Sequence, residues 1–475
     1  MNNPLRKVSV VLGIMMAALL FNLTWISVVR TDDLNADPRN RRVREAEFAQ
    51  DRGAILVGNE PIAETQQGSG RFPFERVYPQ GTTWSSVTGW YSYDYARAEL
   101  EQSWNEELAG TASGQTLTRI IDVLSGRTPR GATVKTTLHP GAQAAAVNAL
   151  GNQQGAAIAM NYETGEILAL ASTPTYDPNL LSTTNLTAGR ESWQELLDDP
   201  REPLQNRAVR EVFPPGSTFK LVTAAAAIEA GMSTESMLEA PASLPLPNSN
   251  HTMGNSTNCG GTQVTLQQAL VTSCNTAFGS LGMELGDEQL RATAEAFGFN
   301  SSPGIDLPSA DSRFPDELDE AQTALTSIGQ YDVAATPLQM MMVTAAIAND
   351  GRMMTPHVVK EVAGSDLRPL QTIRPSSQGQ AVSQQTAAQL QQMMRAVVSD
   401  GTGRPADISG LTIGGKTGTA QTAPDRPPYA WFVGYAEEPK VAVVAFVQRA
   451  EVERNDISGG RLAAPIFRAI VEALR

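Results

Sequence analysis

Apolar and polar positions recur with different periods along this chain, and the changes of period divide it. Residues 8–29, VSVVLGIMMAALLFNLTWISVV, run without a charge for long enough to cross a bilayer as a helix. From 31 to about 135 the pattern is mixed. Short strand-like pieces surround Tyr78 and Val87, and Leu100, Trp104 and Leu108 recur every fourth residue, which predicts a helix over 94–109. From about 134 the texture becomes regular. VKTTLHPGAQAAAVNAL predicts a strand, a turn at Pro140–Gly141 and an alanine-rich helix, and GAAIAMNYETGEILALAS predicts two strands around a turn at 163–165. Helical periodicity then covers 217–230, 264–285, 288–297 and 337–349. Three apolar runs, 412–421, 430–438 and 441–448, predict adjacent antiparallel strands before a last helix, AAPIFRAIVEALR. Strands at both ends with helices between them predict an α+β fold whose terminal segments share one sheet.

Charge adds a compartment to this picture. Arg6 and Lys7 precede the apolar run, while Asp32 and Asp33 follow it. By the positive-inside rule, residues 1–7 are a cytoplasmic tail, 8–29 a transmembrane helix, and everything after it extracytoplasmic. A cleaved signal peptide is the alternative, but the run is long for one and no small-x-small cleavage site follows. The formal charge of −14, from 36 Lys+Arg against 50 Asp+Glu, with no long basic run, argues against nucleic acid as a partner. Cys259 and Cys274 are the two cysteines. Outside the cytoplasm a bridge between them, worth about 3 kcal/mol in the loop-entropy treatment, is favoured over two buried thiols.

The candidate chemistry starts at VFPPGSTFK, residues 212–220. Pro214, Pro215 and Gly216 break the chain, and three-residue spacing sets Ser217 and Lys220 on one helical face. Either Ser217 is a helix cap and Lys220 a solvated charge, or they are a nucleophile and its base. A serine hydroxyl needs a neighbouring base, and lysine serves only where burial lowers its pKa from about 10.4. This is the only Ser-x-x-Lys in the chain. The three histidines offer nothing better: His139 flanks a proline, His251 lies in a polar loop and His357 follows Pro356. Lys416–Thr417–Gly418 is the only Lys-Thr-Gly and sits on a predicted strand, with Thr419 next. Ser-x-Asn occurs at 103–105, 256–258 and 273–275, and only Ser273–Cys274–Asn275 lies between apolar helical segments downstream of Ser217. Ser-x-x-Lys, Ser-x-Asn and Lys-Thr-Gly in that order form the motif set of serine β-lactamases and penicillin-binding proteins.

Over nearly its whole length the chain resembles a class B penicillin-binding protein, closest to the actinobacterial A branch of that family. GAAIAMNYETGEILALASTPTYDPN resembles the opening of the transpeptidase domain, and QNRAVREVFPPGSTFK the approach to its nucleophile. SIGQYDVAATPLQMMMVTAAIANDG resembles a late helical region, IGGKTGTAQ and AWFVGYA the strands lining the site, and RGAIL and ERVYPQG the N-terminal pedestal. The resemblance implies a pedestal over 30–150 and a transpeptidase domain over 151–475, with an antiparallel sheet between helices. It further implies that Ser217 is acylated by a stem peptide ending in D-Ala-D-Ala, with Lys220 as base. Ser273 and Lys416 relay a proton to the leaving D-alanine, and Asn275 holds Lys220 and the substrate amide. Thr417, Gly418 and Thr419 bind the substrate, and the N–H groups of Ser217 and Thr419 form the oxyanion hole. β-Lactams would acylate the same serine. No cofactor and no metal is implied. Because about one hundred residues between anchor and transpeptidase part are too few for a glycosyltransferase, a separate membrane polymerase of the shape, elongation and division family is implied, with other division proteins.

Three other functions use the same motifs. A class A β-lactamase clears its acyl-enzyme with a glutamate-positioned water, and no Glu-x-x-Asn occurs here. A non-catalytic sensor predicts decay of at least one motif, and none is decayed. A D,D-carboxypeptidase, with water as acceptor, stays open, since the acceptor pocket has no sequence signature.

Overall fold

A computed structural model of the chain describes residues 2–30, 34, 41–68, 71–115, 121, 124–126, 129–365, 368–423 and 426–475. The apolar run forms one helix, Asn2–Val28. Its stretch Pro4–Val28 has a mean hydropathy of 2.0, and none of its most apolar window is buried. At ~1.5 Å per residue it is long enough for the ~30 Å hydrocarbon core, which fits a single-pass anchor. Asp32 and Asp33, the acidic pair after the anchor, lie outside the described residues.

The part nearest the anchor is built on a six-stranded sheet. Its order is Pro369–Thr372, Val359–Ala363, Thr133–Thr136, Ile55–Val57, Glu60–Gln67, Phe74–Val77. Ile55–Val57 and Thr133–Thr136 run parallel, and the other pairs are antiparallel. Two of the six strands therefore come from far along the chain. Behind the sheet, Glu101 is fully buried between two arginines, accepting from Arg52 Nε at 2.6 Å and Arg76 Nε at 2.7 Å, and from Tyr78 Oη at 3.0 Å. The arginines hold the Glu101 carboxyl below its usual pKa against the opposing effect of burial.

That inward carboxylate lies in the segment expected to be one helix over 94–109. The backbone instead turns at Glu99 (φ +48) and at Trp104 (φ −111, ψ +29), leaving two short helices, Glu99–Ser103 and Asn105–Leu108. The four-residue apolar spacing is real, but Glu99 and Glu101 are drawn inward with Leu100, which a single amphipathic helix does not allow. Val87 is likewise helical, within Gly81–Thr88.

The larger part is a five-stranded antiparallel sheet in the order Ile413–Ala420, Tyr429–Ala436, Val441–Arg449, Gln154–Met160, Ile167–Thr173. Strands from both ends of this larger part contribute, as the pattern predicts. The period of two sends Trp431, Val433, Val444 and Phe446 to one face, and Ala430, Phe432, Val443 and Ala445 to the other. Helices cover both faces, so the strands read as nearly continuous apolar runs. Ala464–Ala473 and Pro140–Leu150 pack on one side, and Pro337–Ala348 lies on the other.

Pro140–Gly141 opens a helix rather than a turn: Pro140 is its first residue, and His139 Nδ1 accepts from Ala142 N at 3.2 Å. This helix packs on Ala464–Ala473 and on Ile167–Thr173. The helical stretch 264–285 opens with the short strand Gln263–Thr265. It then splits into Leu266–Val271 and Asn275–Ala296, interrupted at Ser273 (φ +58). The second helix continues through the 288–297 stretch with one kink at Gly286.

Candidate active site

Pro214, Pro215 and Gly216 lead into a single 3₁₀ turn, Gly216–Thr218, and Lys220 opens the helix Lys220–Glu229. The turn packs against the edge strand Ile413–Ala420, and three hydrogen bonds outside that strand hold it. Trp431 Nε1 donates to Pro214 O at 3.1 Å, Thr218 Oγ1 donates to Pro215 O at 2.7 Å, and Gly216 N donates to Gly329 O at 2.9 Å. Gly216 has φ +55, and a Cβ there would stand 3.1 Å from Ala420, so only glycine fits without strain. Ser217 is not the helix cap: Phe219 is the N-cap residue, and no side-chain cap hydrogen bond is made. Ser217 instead lines a cleft of about 680 Å³ together with Ser273, Asn275, Thr417 and Thr419.

Beneath the cleft lie two lysines with no solvent exposure, Lys220 and Lys416. Lys220 Nζ donates to Asn275 Oδ1 at 2.7 Å and to Ser273 O at 2.8 Å, and stands 3.3 Å from Ser273 Oγ. Lys416 Nζ donates to Ser273 Oγ at 2.9 Å and to Thr417 O at 2.9 Å. The Ser273 hydroxyl thus bridges both amines. Neither amine has a carboxylate partner among these contacts. Burial, and then the neighbouring Lys416 charge, push Lys220 well below the ordinary lysine value. Burial alone brings Lys416 down to about 7. An amine such as Lys416 exchanges protons near neutral pH, and a solvated lysine does not.

The expected site residues therefore come together from three segments. Ser217 and Lys220 come from the Gly216–Thr218 turn and the helix start after it, Ser273 and Asn275 from the break between two helices, and Lys416, Thr417 and Thr419 from the edge strand. Gly418 faces the Gly216–Thr218 turn, where a Cβ would meet Thr218 Cγ2 at 2.9 Å. Cys259 and Cys274 are joined by a disulfide, with Cα atoms 5.2 Å apart. The other two Ser-x-Asn triplets lie elsewhere, 103–105 against the pedestal and 256–258 in a loop at the cleft rim. His139 caps a helix, His357 Nδ1 lies 3.2 Å from Thr355 O, and His251 is exposed. Among the described residues no group of His, Cys, Asp and Glu is placed to hold a metal.

Sequence reasoning missed Asn255, whose amide contacts the backbone at 275, and Thr402, whose Oγ1 lies 2.6 Å from Thr417 Oγ1. It also missed Gln330, Arg454 and Arg461 along the cleft. None of them stands in a motif with a distinguishing spacing; Arg454 and Arg461 lie in short helical turns before the last helix.

Known proteins similar in sequence and fold are readily found. The family model described as penicillin binding protein transpeptidase domain matches residues 155–472, and that of the penicillin binding protein A dimerisation domain matches 52–134. The peptidoglycan D,D-transpeptidase PbpA of Mycolicibacterium smegmatis is 42% identical over 487 residues, covering 100% of this chain and 99% of that protein. Its counterpart in Mycobacterium tuberculosis is 41% identical over the same span. Among solved structures, the imipenem acyl-enzyme complex of M. tuberculosis penicillin-binding protein A superposes with a TM-score of 0.84 at 40% identity. It covers 90% of this chain and 99% of that one. The penicillin G acyl-enzyme complex also gives 0.84, covering 89% and 99%.

Proposed function

The chain belongs to the penicillin-binding protein transpeptidase family, and on that premise we propose that Ser217, Lys220, Ser273, Asn275 and Lys416 carry out its acyl transfer. The protein is a serine-type peptidoglycan D,D-transpeptidase that β-lactams acylate. The observation that supports this assignment is the buried chain Lys220–Ser273–Lys416 beneath a serine that caps no helix.

Ser217 Oγ attacks the carbonyl carbon of the penultimate D-alanine of a stem peptide, and Lys220 Nζ takes its proton. The negative charge that forms on the carbonyl oxygen is met by the N–H groups of Ser217 and Thr419, an arrangement typically worth about 3 kcal/mol per donor. As the C–N bond breaks, the leaving D-alanine amine receives a proton through Ser273 Oγ, with Lys416 and Lys220 on either side of that hydroxyl. Thr417 and Thr419 hold the terminal carboxylate beside Lys416, and Gly418 lets the strand approach the nucleophile turn. An amine from a neighbouring stem peptide then attacks the acyl-enzyme, forming the cross-link and freeing Ser217. A β-lactam undergoes the same attack: its ring amide bond opens and the acyl group stays on the serine.

The anchor fixes this chemistry to the membrane, with residues 1–7 in the cytoplasm and the cleft outside, as the flanking charges favour. Glycan strands come from a separate membrane polymerase of the shape, elongation and division family, in a division or shape role. Incubation with a pentapeptide ending in D-Ala-D-Ala and an amine acceptor tests the reaction. Release of D-alanine matched by cross-linked product supports a transpeptidase, and release without cross-link makes the chain a carboxypeptidase.

A further inference from the structure

A helix needs acceptors for its first N–H groups, and Asn275–Ala296 has none of its own. Its N-cap residue is Cys274, whose sulfur is committed to the bridge with Cys259 and makes no cap hydrogen bond. The acceptor comes from 20 positions upstream of Asn275. Asn255 Oδ1 accepts from Asn275 N at 2.8 Å and from Thr276 N at 3.0 Å. Its Nδ2 donates to Thr276 Oγ1 at 2.9 Å and to Pro241 O at 3.4 Å, so both ends of the amide are engaged and its orientation is fixed. The preceding carbonyl, Gly254 O, accepts from Asn275 Nδ2 at 3.1 Å, which turns Asn275 Oδ1 toward Lys220 Nζ. Ser273, two residues before Asn275, holds φ +58, a conformation a non-glycine residue keeps only where its surroundings impose it.

We propose that Asn255 is a positioning residue for acyl transfer: by capping this helix from an outside loop, it fixes the Ser273–Asn275 turn against Lys220. It sets the alignment of the proton relay and not the affinity for substrate. The inference rests on the roles proposed above for Lys220 and Asn275. A structural cap and a positioning residue differ in what they change. Loosening the turn by a fraction of a bond length slows the chemical step while the cleft that binds the ligand is unaltered.

The test is a time course of fluorescent penicillin acylation of the full chain in detergent, resolved into the binding constant K and the acylation rate constant k2. Asn255→Leu removes the acceptor. Its k2 should fall on the order of 10²-fold while K stays within about threefold. Asn255→Asp keeps an acceptor oxygen at a helix N-terminus and should restore k2 to within about threefold of wild type. Wild-type k2 in Asn255→Leu, equal losses in both variants, or a loss confined to K would overturn the proposal. If Asn255→Leu does not fold, Asn255→Ala is read in the same way. If neither folds, Asn255 is a folding cap and the proposal falls. Ser217→Ala in the same assay separates the two levels, since adduct formation there would defeat the functional assignment whatever Asn255 does.

Discussion

Replacing Lys416 with methionine should flatten the dependence of stability on pH. Lys416 is fully buried, and its amine is brought from 10.5 down to about 7 in the folded chain. The unfolded chain therefore binds a proton at this residue that the folded chain does not, throughout the window between those values. Stability must rise with pH across it, by ~1.4 kcal/mol per pH unit for a whole proton. Between about pH 7.5 and about pH 9.5 the folded amine is mostly neutral and the unfolded one mostly charged, so Lys416 contributes a rise of roughly 2–3 kcal/mol. Lys416→Met abolishes that term. Denaturant unfolding of the detergent-solubilised chain, followed by intrinsic fluorescence at both pH values, gives the two slopes. The wild type should gain stability on going alkaline by at least roughly 2 kcal/mol more than the variant. Parallel curves would mean that Lys416 is charged in the fold, and the proposed proton relay would lose one of its amines.

Gly216→Ala puts a Cβ at φ +55 and 3.1 Å from Ala420. It should lower stability by about 1–2 kcal/mol and slow penicillin acylation on the order of 10²-fold by shifting Ser217, as read by melting temperature and labelling rate. Glu101→Ala leaves Arg52 and Arg76 buried without their shared carboxylate. Thermal unfolding should show a loss of about 3–5 kcal/mol, with the labelling rate of the folded fraction unchanged.

The sheet was legible because both of its faces are buried. Apolar runs such as VAVVAFV are too short for a helix and have no competing interpretation, and both ends of the larger part carry such runs. The site was legible because its chemistry uses rare triplets in a fixed order. What the pattern hid depends on long-range partners. Strands Val359–Ala363 and Pro369–Thr372 join the pedestal sheet, a pairing with Thr133–Thr136 that no local signal announces. The break at Ser273 looks like continuous helix in sequence. It is held open by Asn255 and the Cys259–Cys274 bridge, and both reach it from a polar loop. Glu101 looked like the polar face of a helix, since its arginine partners lie 49 and 25 positions away.

The most direct test of the nucleophile and its base is covalent labelling by fluorescent penicillin, with the adduct located by peptide mass. In the wild type the label should sit on Ser217. Ser217→Ala should fold, losing only about 1 kcal/mol or less, since the hydroxyl caps no helix, and should form no adduct. Lys220→Ala should fold and label slower by about 10² to 10⁴ or more. A stable adduct on the Ser217→Ala variant, or wild-type labelling of Lys220→Ala, would contradict the account.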